Sequence, residues 1–153
     1  MFFFISSAIN SENNMTPLTE YMNNEIDSPN VTPRKMIYVN LRCIALHQAL
    51  WQKVGSNDKG SGMEKEIKEN ILLFMNSGFV LYSKISSSEN IKSDDLWQDY
   101  IDSVATNTDQ IIENYNFELN KNFQNTGNIL DGEFLKNDFK EYTTWKNLIG
   151  QAG

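Results

Sequence analysis

The sequence predicts an all-α fold: an antiparallel up-down four-helix bundle with a short additional helix at its N-terminal side. Three observations predict it. Apolar residues recur at steps of three and four over long stretches, the period of an amphipathic helix. Clusters of glycine, proline, serine and asparagine separate those stretches. No segment alternates by two for the length of a strand.

Thr16-Pro17 opens the short helix, because proline is favoured in the first helical turn and threonine can cap it. It runs to about Ile26, with Leu18, Tyr21 and Met22 on one side, and Asp27-Ser28-Pro29-Asn30 breaks it. Thr32-Pro33 opens the first long helix, 33–54. One row along it holds Met36, Cys43, His47, Leu50 and Val54, and a second holds Ile37, Leu41, Ile44 and Trp51. That stripe suits a helix packed on two neighbours. Gly55 supplies a stop, and Gly55 to Gly62 reads as a flexible surface loop.

The second long helix, 63–85, carries the cleanest row: Ile67, Ile71, Phe74, Gly78, Leu81 and Ile85. Glu64, Glu66 and Glu69 suit the positive end of its dipole. Gly78 inside an apolar row allows close approach by a partner, or is a tolerated weak point. Ser93, Asp94 and Asp95 start the third helix, 94–124, whose row is Trp97, Ile101, Val104, Thr108, Ile111, Tyr115 and Leu119. Such a long rod favours a bundle, and Gly127 stops it. Asp131 caps the last helix, 132–149. Its apolar positions are Leu135, Phe139, Tyr142 and Ile149, flanked by Phe134, Trp145 and Leu148, and Gly150 closes it. Short connections between long helices imply antiparallel neighbours.

The chain has 153 residues, which suits one domain over residues 15–150. Its net charge of −7 repels phosphate backbones and argues against nucleic acid. No window approaches the roughly 20 apolar residues of a membrane span. The single cysteine cannot form an intrachain disulfide. Residues 1–14 stand apart from the fold. Met1-Phe2-Phe3-Phe4-Ile5-Ser6-Ser7-Ala8 is apolar and then small, like the back half of a secretory signal, but it has no basic region before it. Two explanations fit: a signal whose start lies upstream, or a non-structural start with the real one at Met15. The first is preferred, which makes the expected location periplasmic or secreted.

Cys43 and His47 lie one turn apart and are the obvious candidates for a zinc site, since thiolate and imidazole both bind zinc. With no other cysteine or histidine to complete a site, core packing is the expected role. Asp95, Asp99 and Asp102 share a helix face, with Asp94 and Asp109 nearby. Their spacing matches no calcium loop, so a solvated acidic face is expected, and Glu113, Glu118, Asp138 and Glu141 read the same way. No phosphate loop, serine elbow or zinc-protease motif is present, so the chain is read as non-catalytic with no cofactor. The surplus of aromatic residues suits an apolar pocket or a partner surface.

The fragment Arg42-Cys43-Ile44-Ala45-Leu46 resembles small exported helical proteins of bacteria, of uncharacterised function. In them a signal peptide precedes a first helix with a Cys-x-Ala-Leu-like element, and the last helix carries an Asp-x-x-x-Cys element. Here Asn137-Asp138-Phe139-Lys140-Glu141-Tyr142 occupies that last place, with Tyr142 where the second cysteine is expected. The resemblance covers the layout of residues 34–149 and implies an exported helical protein. It supplies no activity, and a disulfide between the first and last helices is lost here. The expected function is binding of a protein partner or a small apolar ligand. The alternative is an acidic immunity- or inhibitor-type protein that neutralises a basic partner, with Asp95, Asp99 and Asp102 as its contact face.

Overall fold

The computed structural model describes residues 13–55 and 62–152. The expected signal segment lies almost wholly outside these residues, as does most of the Gly55–Gly62 loop. The described residues form five helices and no strand: α1 (Leu18–Tyr21), α2 (Pro33–Leu50), α3 (Gly62–Ser88), α4 (Leu96–Thr126) and α5 (Glu133–Ala152). Two of them end in a wider, π-type turn, α1 through Met22–Ile26 and α2 through Trp51–Gly55. No helix is long and apolar enough to cross a membrane among the described residues.

Local chemistry sets most helix ends. Thr32 Oγ1 accepts from the Lys35 N–H at 3.3 Å, and Pro33 occupies the first turn of α2. Asp95 Oδ1 accepts from the Gln98 N–H at 3.0 Å and starts α4. Gly127, at φ 77°, closes that helix in the left-handed conformation, where a Cβ would be strained.

Three ends differ from the sequence reading. Thr16 does not cap α1. Its first N–H groups are capped instead from α5, by Asp138 Oδ1 on Leu18 at 2.8 Å and Asn137 Oδ1 on Thr19 at 3.1 Å. Asp131 does not cap α5 either, because its carboxylate pairs with Lys136 Nζ at 2.9 Å. Nor does Gly150 end α5, which continues to Ala152. A mid-helix glycine costs only about 1 kcal/mol, and Gln151 and Ala152 after it are good helix formers.

The core is built around α2. Every residue from Val39 to His47 is buried, two and a half turns without an exposed face. The stripe expected for a helix between two neighbours is therefore too narrow. α3 and α4 cover most of α2, and α5 closes the remainder, where Trp145 Nε1 donates to Asn40 Oδ1 at 3.2 Å. The α3 row faces inward as read, with Ile67, Phe74, Gly78, Leu81 and Ile85 buried. Gly78 is the close approach that its position suggested. A Cβ there would lie 2.2 Å from Tyr100 Oη on α4.

Candidate functional site

α3 and α5 do not close on each other along their whole length. Between them lies an open groove of ≈ 670 Å³, within the roughly 300–1,000 Å³ typical of ligand sites. α3 supplies Leu73, Ser77, Val80 and Lys84 at successive steps of four, three and four, with Asn76 and Leu81 beside them. α5 supplies Trp145, Leu148, Ile149 and Gly150, and Met36 of α2 also lines it. Val80 and Leu148 are about half exposed, although both are large and apolar. Trp145 is anchored in the groove wall: its ring is buried and its indole N–H donates to Asn40, whose own amide donates to Met36 O at 3.3 Å. Among the described residues, Lys84 is the only charged one lining it.

The second notable feature is a charged cluster inside the core. Arg42 and Asp138 form an ion pair with no solvent exposure on either side chain. Arg42 Nε donates to Tyr115 Oη at 2.9 Å, and its Nη1 donates to Thr16 O at 2.8 Å. Tyr115 Oη in turn donates to Asp138 Oδ2 at 2.6 Å. The guanidinium also lies 5.5–5.9 Å from the ring centres of Tyr115, Phe134 and Tyr38. Burial works against the Arg42 charge, but Tyr115 and Asp138 outweigh it and hold the arginine more firmly protonated than usual. Burial, with Asp138 adding to it, drives the Tyr115 phenol well above its usual range. All polar groups of this cluster are spoken for, and it is sealed from solvent. It fastens four parts of the chain together: the N-terminal segment, α2, α4 and α5.

That cluster overturns part of the sequence reading. Asp138 is not on a solvated face but fully buried. Glu118 is buried as well, accepting from Asn13 Nδ2 at 3.1 Å. Glu141 is half-buried and accepts from Thr19 Oγ1 at 2.9 Å. Only Glu113 of that set is exposed. A signal for the exceptions existed. Leu135, Asp138, Tyr142, Trp145 and Ile149 step by three and four, and so do Ile111, Tyr115, Glu118 and Asn122. A charged residue seated inside an apolar row is a buried-charge candidate.

Cys43 and His47 are both buried core residues. Asn70 Nδ2 donates to His47 Nε2 at 3.2 Å, so the ring proton sits on Nδ1 and is donated to the Cys43 carbonyl at 2.7 Å. Phe74 and Tyr142 pack on the imidazole, the latter with ring centres 4.7 Å apart. Burial lowers the His47 pKa below its ordinary value and pushes the Cys43 thiol far up. Both imidazole nitrogens are engaged within the protein, and the thiol stays protonated, so neither is presented as a ligand. Among the described residues no group of three or more histidine, cysteine or acidic side chains could hold a metal ion.

Asp95, Asp99 and Asp102 are exposed at the start of α4, as expected. They serve local roles. Asp95 caps the helix, Asp99 accepts from Ser93, and Asp102 accepts from Gln98 Nε2 at 2.9 Å. No protein-family model matches the chain, and no curated protein or solved structure matches it either.

Proposed function

We propose that this chain is a non-catalytic helical binding protein whose groove between α3 and α5 takes a small apolar ligand. The groove carries the reading: an open, apolar channel, walled on one side by an anchored tryptophan, in a protein whose buried Arg42–Asp138 cluster is internally satisfied. Among the described residues eleven line it, fewer than the roughly 20–30 per side in a standard protein interface. That favours a small ligand over a protein partner.

In this reading the four long helices run up and down as an antiparallel bundle. Contacts near both ends of α2 and α3 support it: Arg34 reaches Glu89, while Lys68 Nζ lies 4.9 Å from the Trp51 ring centre. Phe79 meets Trp97 at the turn into α4, and Asn122 Nδ2 bonds Ile129 O at the turn into α5. A periplasmic or secreted setting belongs to the same proposal, supported by the apolar and small residues Met1 to Ala8 and by the resemblance to exported helical proteins.

The test is calorimetric titration with a straight-chain twelve-carbon amphiphile below its micelle concentration. Saturable one-to-one binding is expected, and Gly150→Leu abolishes it. Gly150 lines the groove and a Cβ there meets nothing within 4 Å, so a leucine is accommodated beside the groove without a clash in the fold. Absence of binding by the unaltered chain overturns the proposal.

The alternative, an acidic module that neutralises a basic partner, is supported by the exposure of Asp95, Asp99 and Asp102. Replacing Asp99 and Asp102 with lysine would abolish such an association, whereas groove binding would be unaffected.

A further inference from the structure

We infer that the groove ligand is a long-chain carboxylate, its tail along Val80, Leu148 and Trp145 and its head at Lys84. This rests on the binding reading above and adds the chemical class of the ligand.

Charge decides the sign of the head group. The chain holds 20 acidic residues against 13 basic ones, and several of its lysines are matched with acids: Lys35 with Glu25, Lys68 with Glu64, Lys136 with Asp131. Lys84 forms no ion pair among the described residues, and it lines this apolar channel. Among the described residues, no acidic one lines that channel. A cationic amphiphile would therefore meet an uncompensated like charge, while a neutral one would leave Lys84 unused. An anionic head completes it.

The number of donors then narrows the anion. A phosphate carries up to two charges and is ordinarily held by several cations or by the fork of an arginine. Here a single ammonium is available, with the Asn76 amide and Ser77 hydroxyl earlier on the same helix. One point charge matches a monoanion. The remaining lining is hydrocarbon or aromatic surface, and it lies on the wall formed by Leu73, Val80, Trp145, Leu148 and Ile149. A flexible alkyl chain fits an open groove of this form better than a rigid ring system, because it can follow the line between two helices.

The experiment compares laurate, dodecanol and dodecylamine on the full chain, by calorimetry below their micelle concentrations, with Lys84→Gln and Gly150→Leu variants. Laurate is expected to bind roughly five-fold more tightly than dodecanol, the scale of one solvent-accessible ion pair, and dodecylamine more weakly than either. Lys84→Gln closes the gap between laurate and dodecanol without changing dodecanol affinity, and Gly150→Leu removes all binding. Equal affinity for laurate and dodecanol, or a laurate affinity unchanged in Lys84→Gln, overturns the carboxylate assignment and leaves the binding reading intact. No binding of any of the three overturns both. A dimer in sedimentation that Gly150→Leu converts to monomer makes a second copy the occupant and also overturns the assignment.

Discussion

Arg42 on α2 and Asp138 on α5, 96 residues apart in sequence, form an ion pair with no solvent exposure, and Tyr115 bonds both partners. A pair of this kind is not a large net source of stability, because removing two ions from water offsets most of their attraction. Breaking it is another matter. Asp138→Ala leaves the guanidinium buried without its counter-ion and also uncaps the Leu18 N–H, so a loss of about 3–5 kcal/mol in urea unfolding is expected. The double variant Arg42→Met, Asp138→Leu should be less destabilised than Asp138→Ala alone. If it is more so, the stranded charge is not the main effect.

Acid should weaken the fold through His47. Its folded pKa lies below the ordinary 6.5 because of burial, and Lys146 lowers it further, while the Cys43 carbonyl and Glu66 act in the opposite direction. The unfolded chain therefore binds a proton first as pH falls. Stability is full above about pH 6.5 and declines below it towards the folded pKa, with a slope of at most about 1.4 kcal/mol per pH unit. His47→Gln is expected to remove that part of the slope below pH 6.5. An unchanged stability profile in the variant would count against this origin.

Tyr100 and Gly78 form a matched pair. The Tyr100 hydroxyl is buried, has no hydrogen-bond partner among the described residues, and sits where a Gly78 side chain would be. Gly78→Ala is expected to cost about 1–3 kcal/mol, the usual range for overpacking, despite the better helix propensity of alanine. Tyr100→Phe alone should be neutral or stabilising, since it removes an unsatisfied polar group, and it should recover part of the loss in the double variant. Thermal melts of the four proteins give the coupling directly.

Cys43 offers a reporter of global opening. Its thiol is buried and its pKa is driven far up by burial. Reaction with an aromatic disulfide reagent at pH 8 should therefore be slow in the native protein and fast in urea. The labelling rate should fall with rising stability across the variants above. Rapid labelling of the native protein would show that the α2 core opens locally.

The rows at steps of three and four were legible because burial repeats with the helix. Ile67 to Ile85 on α3 is the clearest instance, with Ile71 half-buried and the rest buried. The α4 row was read with its edge misplaced: Trp97 is exposed, while Tyr100 beside it is buried. What escaped were the polar residues. A carboxylate has the same sequence signature whether it meets water or a guanidinium, and the partner of Asp138 is on another helix. Local pattern therefore assigned Asp138 and Glu118 to solvent, where most acids belong. The groove was illegible for a related reason. Val80 and Leu148 look like edge positions of two ordinary stripes, and only the spacing between the helices leaves them uncovered.

The capping of α1 has a consequence for how the chain is made. Leu18 leaves the ribosome 120 residues ahead of the aspartate that satisfies its N–H. Until α5 emerges, α1 has no cap, Arg42 has no counter-ion, and the groove has only one wall. Loop closure over such a distance comes late in folding. A nascent chain stalled before residue 138 should thus hold α2, α3 and α4 as a loose assembly with α1 frayed. Synthesis of the last helix is then the step that locks the first.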